Sequence, residues 1–269
     1  MSPIMFTIGN FSIKWYAFLI LIGAIVGIIM IMKEGKRFGF SKDFLFNLTF
    51  WVIIMGIIGA RIFYVIFNPE LYTNFFDIFK IWEGGLAIYG GIIFGILTII
   101  IYCKRYKVRT IKILDFFVPA LFFAQALGRW GNFFNSEAHG AATSLLHLQN
   151  LHIPEFIIDG MRIGGLYYEP TFFYESLWCL LGLIIVLIIR RLKFTKVGVP
   201  TAFYFMWYGV GRFFIEAMRT DSLMLGGFKV AQIISIIIFL VGLGSIMVIS
   251  RKARFEDLYD KEVDQTIRF

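Results

Sequence analysis

A cluster of charged and amide side chains stands at the end of a long apolar run in this sequence. It contains Arg129, Asn132 and Glu137, and the apolar run begins near Ile113. An arginine so close to hydrocarbon is costly unless it is paired or lines a polar cavity, which makes Arg129 a functional candidate. A guanidinium presents a planar fork of donors that fits a phosphate or a carboxylate. The cluster therefore predicts a site for an anionic ligand.

A later apolar run repeats this arrangement of residues. Tyr208, Arg212 and Glu216 follow one another at intervals of four, and Arg219 lies three residues further on. Residues at these intervals share one face of a helix. We therefore predict a polar stripe that ends with Arg219, and we expect the two embedded arginines to serve one lipid-embedded anionic ligand.

The composition is typical of a membrane protein. Hydrophobic residues make up 59% of the chain and charged residues only 16%, whereas soluble domains have roughly 45–50% apolar and 25% charged residues. Apolar runs long enough to cross about 30 Å of hydrocarbon recur, and they are too uniform for barrel strands. We predict an all-α polytopic membrane protein with seven transmembrane helices. The predicted spans are Ile13–Met32, Phe44–Phe67, Gly85–Cys103, Ile113–Phe133, Phe172–Ile189, Val199–Met218 and Val230–Ser250.

The basic residues between the predicted spans favour one side of the membrane. Four follow span one, five follow span three, four follow span five and five follow span seven, which is 18 of the 26 Lys and Arg residues. Because basic residues accumulate in cytoplasmic loops, this predicts an external N-terminus and a cytoplasmic C-terminus. The predicted domains are a membrane domain at 1–250, with an extracytoplasmic loop or head segment at 135–170, and a cytoplasmic tail at 251–269. Contact with anionic membrane lipid accounts for the basic loops, and no nucleic-acid partner is expected.

Polar residues of five predicted spans lie at a similar depth. At 1.5 Å per residue, Arg61 lies roughly 9 Å below the outer end of span two, and Tyr16 and Tyr89 lie roughly 5 and 6 Å down spans one and three. The same rise places Arg129 and Arg212 roughly 6 and 9 Å below the outer ends of spans four and six. We therefore expect one polar cluster at the depth of the outer leaflet.

Each of these residues has a structural alternative that the sequence leaves open. Arg129 and Arg212 could form buried ion pairs with Glu137 and Glu216 without binding any ligand. Arg61 could extend toward the membrane surface or pair structurally. The tyrosines could belong to the aromatic belt at the membrane boundary, and the glycines of span three could serve helix packing alone.

The cysteines and histidines give no sign of a metal site or a disulfide. Cys103 and Cys179 lie at or within predicted helices, far apart in the sequence, where a free cysteine usually packs as a small apolar residue. His139, His147 and His152 fall in the predicted outer loop without metal-ligand spacing. We expect neither a metal nor an organic cofactor.

Five blocks of residues, in order along the chain, resemble the bacterial prolipoprotein diacylglyceryl transferase family. The resemblance runs from span one to span seven. The blocks are Gly59-Ala-Arg61 with Tyr64, Gly84-Gly-Leu with Gly90-Gly, Gly128-Arg129-x-Gly-Asn132-Phe-x-Asn135-x-Glu137-x-x-Gly140, Pro170-Thr-x-x-Tyr174-Glu175, and Tyr208-x-x-x-Arg212 with Glu216 and Arg219.

The resemblance implies a seven-helix enzyme of the bacterial inner membrane. Such an enzyme moves the sn-1,2-diacylglyceryl group of phosphatidylglycerol onto the lipobox cysteine of a prolipoprotein signal peptide, forming a thioether and releasing glycerol phosphate. By motif, the residues predicted to be catalytic are Arg129, Arg212, Tyr89 and Glu137. The residues predicted to bind substrate are Arg129, Asn132, Gly140, Tyr208, Glu216, Tyr16 and Arg61.

One position departs from the family pattern. Many members carry a histidine immediately before the Gly-Gly pair of span three, and this chain has Tyr89 there. A tyrosine with a pKa near 10 is a poor base at neutral pH. Tyr89 therefore either orients the substrate or the proton goes elsewhere, to Glu137, to Glu216 or to the substrate phosphate.

A transporter or flippase of an anionic lipid is the alternative function. Many transporters carry paired internal repeats, and none is evident in these seven spans. A channel would need polar residues along its whole pore, whereas the inner halves of the predicted helices are apolar. Covalent transfer of label from phosphatidylglycerol to a lipobox peptide separates the transferase from these classes.

Overall fold

The structure is a computed structural model that describes residues 3–9, 11–72, 74–251 and 258–259. Most of these residues are helical. The predicted cytoplasmic tail lies largely outside the described residues, because only Arg251, Leu258 and Tyr259 of its span are described.

Seven long helices account for all seven predicted apolar spans. Six of them, all but α8, are long and apolar enough to cross a membrane. The remaining helix, α8, is 20 residues long and carries Arg212 and Glu216. The chain is therefore a multi-pass membrane protein. The long helices are α1 (Trp15–Arg37), α2 (Lys42–Phe67), α3 (Ile88–Arg105), α4 (Thr110–Phe134), α7 (Thr171–Ile189), α8 (Val199–Met218) and α9 (Val230–Arg251), and the short ones are α5 (Leu145–Asn150) and α6 (Glu155–Gly160).

Short strands add three small sheets to the expected helices. A hairpin of β1 (Ile4–Ile8) and β2 (Phe11–Lys14) precedes α1, and a hairpin of β6 (Met224–Leu225) and β7 (Phe228–Lys229) joins α8 to α9. A three-stranded sheet in the order β3-β5-β4 lies between α4 and α7. Its strands are β3 (Ala142–Thr143), β4 (Arg162–Ile163) and β5 (Leu166–Tyr168).

The predicted head segment at 135–170 is therefore a small folded subdomain. It combines α5, α6 and the three-stranded sheet. Its core packs Leu148, Ile157 and Met161 against Phe133 at the end of α4 and Phe172 at the start of α7. These side chains are at most 3% exposed, so the subdomain is anchored to the ends of the two long helices by hydrophobic burial.

Two compact units divide the chain. The first comprises Met1–Met30 and Asp115–Glu262, and the second comprises Ile31–Leu114 and Val263–Phe269. In the second unit, α2 and α3 pack closely through glycines. A Cβ atom on Gly90 would lie 2.3 Å from the carbonyl oxygen of Gly59, so these two backbones touch as in other close membrane-helix pairs.

In the first unit, α7 and α8 are joined by a pair of tryptophans. The rings of Trp178 and Trp207 stack with centroids 4.2 Å apart. Each indole N–H donates to the backbone carbonyl of the other tryptophan at 2.9 Å. Gly211 and Gly182 make room for these rings, because a Cβ on either would come within 2.6 Å of an indole atom.

A buried carboxylate of α4 caps the start of α8. Asp115 is fully buried and accepts hydrogen bonds from the backbone N–H groups of Gly198 at 2.6 Å and Thr201 at 3.0 Å. The first N–H groups of a helix lack intrahelical partners and carry partial positive charge. A carboxylate accepts their hydrogen bonds and is attracted to that charge. This contact fixes the end of α8 that is remote from Arg212.

Candidate functional site

Three helices of the first unit place four charged residues together. Arg129 lies on α4, Glu175 on α7, and Arg212 and Glu216 on α8. The α4–α7 contact is set by Ser176, whose hydroxyl accepts from the Trp130 indole and donates to the backbone of α4, both at 3.1 Å. The charged residues are therefore held by helix contacts immediately beside them.

The charges alternate along one chain of contacts. Glu175 Oε1 lies 2.8 Å from Arg129 Nη2, and its Oε2 lies 3.2 Å from Arg212 Nη1. Arg212 Nη2 lies 2.6 Å from Glu216 Oε2. The structure thus joins both predicted arginines through Glu175, which the sequence analysis placed in a motif but did not include among the site residues.

The environment of these charges makes them strong electrostatic groups. The Glu175 side chain is 5% exposed, and those of Arg212 and Arg129 are 16% and 21% exposed. Coulomb interactions are stronger where water is excluded. With Glu216 on Arg212, the network holds two guanidinium groups and two carboxylates. Guanidinium groups suit the fork-like recognition of a phosphate.

Amide side chains extend the network from Arg129 to Glu137. Arg129 Nη1 donates to Asn132 Oδ1 at 3.3 Å, one helical turn away in α4. The amide groups of Asn132 and Asn135 both donate to Glu137 Oε1, at 2.9 and 3.1 Å. The helix continues to Phe134, so Arg129 and Asn132, three residues apart, lie on one face of it.

The other candidates of the first unit are placed as follows. Tyr208 lies one turn before Arg212 in α8 and stacks on Tyr204, with ring centroids 5.7 Å apart. Tyr16 covers Gly131, where a Cβ would lie 2.2 Å from its ring. A Cβ on Gly140 would lie 2.7 Å from that of Glu169. Substrate binding by Tyr208, Tyr16 and Gly140 stays a prediction.

Arg219 does not continue the polar stripe, and that part of the prediction is wrong. Helix α8 ends at Met218, and Arg219 has extended backbone with ψ of 143°. Lys229 on β7 terminates the helix by donating to the carbonyls of Glu216 at 2.7 Å and Arg219 at 2.6 Å. A cation at this end of a helix is favourable because the last carbonyls are unsatisfied.

Arg219 instead forms a local pair with Asp221. Its Nε and Nη2 donate to the two carboxylate oxygens at 3.0 and 2.9 Å. This hydrogen bonding holds the pKa of the Asp221 carboxyl below its ordinary value. Since the folded-state pKa is lowered, the pair stabilises the fold above the ordinary pKa of Asp, about 3.9, and loses its contribution as the pH falls through the folded-state value.

Two candidate residues, Tyr89 and Arg61, belong to the second compact unit. Tyr89 stands in the first turn of α3 and is 47% exposed. Arg61 on α2 is 8% exposed, and its guanidinium donates to backbone carbonyls of the segment between α2 and α3. Catalysis by Tyr89 and substrate binding by Arg61 stay predictions.

Among the described residues, no group of three or more His, Cys, Asp or Glu is arranged to hold a metal ion. Cys103 and Cys179 are both buried and free. Both cysteines of the chain are thus held away from its surface.

The chain is similar to known proteins over most of its length. The family model described as prolipoprotein diacylglyceryl transferase matches residues 3–248. A phosphatidylglycerol–prolipoprotein diacylglyceryl transferase of Listeria innocua is 44% identical over 97% of this chain and 94% of its own length. A protein of the same name from Staphylococcus saprophyticus is 44% identical over 95% of this chain and 91% of its own length. One from Staphylococcus xylosus is 45% identical over 97% of this chain and 94% of its own length.

The bridging role of Glu175 gives a direct prediction. Glu175→Gln keeps the shape of the side chain but leaves two partly buried arginines without their shared charge. Removing one partner of a buried ion pair typically costs about 3–5 kcal/mol of stability, so we expect a clearly lower unfolding temperature in detergent. Glu155→Gln, on an exposed position of α6, is the matched control and should leave it unchanged. Equal unfolding temperatures for both variants would contradict the prediction.

Proposed function

The chain belongs to the prolipoprotein diacylglyceryl transferase family, and we propose that it transfers the sn-1,2-diacylglyceryl group of phosphatidylglycerol to the lipobox cysteine of a prolipoprotein. The transfer forms a thioether and releases glycerol phosphate. The observation that carries this proposal is the pair of guanidinium groups, Arg129 and Arg212, held on the buried carboxylate of Glu175. It supplies the cationic site that a phosphodiester requires.

The reaction is a substitution at the glycerol carbon that carries the phosphate. The thiolate sulfur of the acceptor attacks this carbon, and the carbon–oxygen bond breaks with its electron pair passing to the phosphate oxygen. The product phosphate monoester carries more negative charge than the diester. Donors aimed at developing charge accelerate a reaction because they bind the transition state better than the ground state. We assign this role to Arg129 and Arg212.

Glu175 positions both arginines for this task. Without a counter-charge, two guanidinium groups would repel each other, and each would sample several rotamers. A single carboxylate between them fixes both orientations before the lipid arrives, which reduces the entropy lost on binding. The substrate phosphate then adds to a cationic pair that is already assembled.

The same cations would also help the nucleophile. A thiol has an ordinary pKa of about 8.5, and neighbouring cations lower it, which raises the thiolate fraction at neutral pH. The acceptor proton needs a base, and Glu137, Glu216 and the substrate phosphate are the candidates. Glu216 is the least suited of these, because its carboxylate is already engaged by Arg212 at 2.6 Å. We propose Glu137, with Asn132 and Asn135 orienting its carboxylate.

The topology that we propose has seven spans, with α8 as the sixth. Its length of 20 residues gives about 30 Å, enough to cross the hydrocarbon core. The basic loops support an external N-terminus, a cytoplasmic C-terminus and location in the bacterial cell membrane. Residues 135–170 then lie outside and 251–269 inside. A cysteine introduced at Gln265 should resist an impermeant reagent added to intact cells, and labelling of that cysteine from outside would contradict the orientation.

The transferase assay tests the function and Arg129 together. Purified protein is given phosphatidylglycerol labelled in its diacylglyceryl group and a lipobox peptide, and covalent label on the peptide is measured. We expect transfer by the parent protein and a loss of about 100- to 1000-fold in Arg129→Ala, because a donor to the developing charge is removed. Arg129→Lys should also be poor, since an ammonium lacks the planar fork.

Two outcomes of this assay would count against the proposal. Movement of labelled lipid across the membrane without covalent transfer would favour the flippase. Near-normal transfer by both variants, with unfolding temperatures like the parent, would return Arg129 to a purely structural role.

Tyr89 gives a second kinetic prediction. We propose that its hydroxyl orients phosphatidylglycerol and does not carry the proton. Tyr89→Phe then removes one neutral hydrogen bond, worth about 0.5–1.5 kcal/mol, so the rate should fall about tenfold or less. A general base would instead contribute about 100- to 10,000-fold. Single-turnover rates of Tyr89→Phe and Tyr89→His decide between them, and a thousandfold loss in the first with recovery in the second would refute the orienting role.

A further inference from the structure

The segment between α2 and α3 exposes a row of aromatic rings. It contains three short 3₁₀ helices, and the rings belong to the second and third of them, Phe75–Phe79 and Ile81–Glu83. Their large side chains point outward: Phe75 is 69% exposed, Phe76 77%, Phe79 60% and Trp82 73%. We call these four residues the aromatic ridge. A contiguous exposed apolar patch on a protein marks an interaction surface.

The aromatic ridge continues the apolar outer surfaces of two transmembrane helices. At the end of α2, Ile66 is 64% and Phe67 66% exposed, and at the start of α3, Ile88 is 71% exposed. In a helix that crosses a membrane, such side chains contact lipid. Within the segment, Lys80 Nζ lies 2.7 Å from Asp77 Oδ1, so these two charges are paired. Exposed apolar side chains are thus found at both helix ends and on the segment that joins them.

Arg61 holds the backbone beneath the aromatic ridge. Its Nε donates to the carbonyl of Ile78 at 2.7 Å. Its Nη1 donates to the carbonyls of Gly84 at 2.7 Å and Gly85 at 3.0 Å. Its Nη2 donates to the carbonyls of Asp77 at 2.8 Å and Lys80 at 3.3 Å.

These contacts account for the whole donor capacity of the arginine. A guanidinium has five N–H donors, and all five are used on carbonyls of residues 77–85. Unpaired backbone carbonyls are expensive in a membrane, and Arg61 satisfies five of them from one buried position. No donor is left for a lipid phosphate in this arrangement, so its predicted substrate role would require the segment to open.

We infer that the aromatic ridge is seated in the interface between head groups and acyl chains of the bilayer, and that Arg61 is the positioning residue that keeps it there. Aromatic rings favour this zone of a membrane. Under the proposed orientation the leaflet is the outer one. The partner is the phospholipid bilayer itself, recognised by its apolar boundary and not by a particular head group.

The position of the aromatic ridge can be measured without any activity assay. Phe76→Cys is prepared with Cys103→Ala and Cys179→Ala, spin-labelled and reconstituted in vesicles of phosphatidylcholine and phosphatidylglycerol. Collision of the label with oxygen, which partitions into lipid, is compared with collision with a water-soluble nickel complex. Ile237→Cys on the exposed apolar surface of α9 is the lipid reference, and Asp159→Cys on the exposed surface of α6 is the water reference.

We expect the label at residue 76 to resemble the lipid reference, with oxygen access severalfold above that of the water reference. If the label at residue 76 collides with the nickel complex as often as the label at residue 159 does, the proposal is overturned. Should the cysteine substitutions prevent folding, the parent and Trp82→Phe are compared with bromine-labelled phosphatidylcholine. Trp51 on α2 is 48% exposed and should be quenched in both proteins. A clearly smaller quenched fraction in Trp82→Phe supports the interfacial position, and quenching that is the same in both refutes it.

The role of Arg61 is tested with the same label. Arg61→Gln retains at most two of the five donors, so the segment should loosen and residue 76 should become severalfold more accessible to nickel. Arg61→Lys, with three donors, should be intermediate, and Arg162→Gln on β4 is the control. An unchanged label environment in a folded Arg61→Gln protein, with a raised KM for phosphatidylglycerol, would instead favour direct substrate binding. Because the label reports position alone, this result stands or falls separately from the transferase proposal.

Discussion

The structure of the site depends on the cost of placing arginines near hydrocarbon. A charge in this position must be paired or line a polar cavity. The chain meets this constraint by placing one carboxylate, Glu175, between two guanidinium groups. Glu216 lies 2.6 Å from Arg212 as well, so two carboxylates balance the two guanidinium groups. We therefore expect a phosphate to bind through the forked N–H donors of the arginines and not through a net positive charge.

Several polar contacts elsewhere in the first unit fix the helices that carry these charged residues. Asp115 fixes one end of α8 and Lys229 caps the other. The stacked Trp178 and Trp207 lock α8 against α7, close to both Glu175 and Arg212. Interhelical hydrogen bonds add directional constraint where lipid removes most of the hydrophobic driving force between helices. The result is a polar site whose geometry is set by packing and does not rely on flexible loops.

The sequence predicted the helices well and the pairing of charges only in part. Apolar runs of this length leave few alternatives to a membrane helix, and the four-residue spacing of Tyr208, Arg212 and Glu216 fixed their common face. The sequence could not predict that Glu175 bridges the arginines, since this depends on how α7 packs against α4 and α8. Its signal was a carboxylate at the start of an apolar span. The fold of the subdomain at 135–170 could not be predicted from the sequence either, because its strands are only two or three residues long.

Arg61 and Arg129 show why residue type and depth do not decide function. The sequence placed both at a similar depth in predicted spans, and both are charged groups that hydrocarbon penalises. Arg61 directs all five N–H donors at carbonyls of its own unit and is 8% exposed. Arg129 is held by side chains, Glu175 and Asn132, and a fifth of its side chain is exposed. Backbone carbonyls cannot move away without unfolding the segment, whereas side chains can rearrange around a ligand. The identity of the acceptors is therefore the difference on which we propose a structural role for Arg61 and a catalytic role for Arg129.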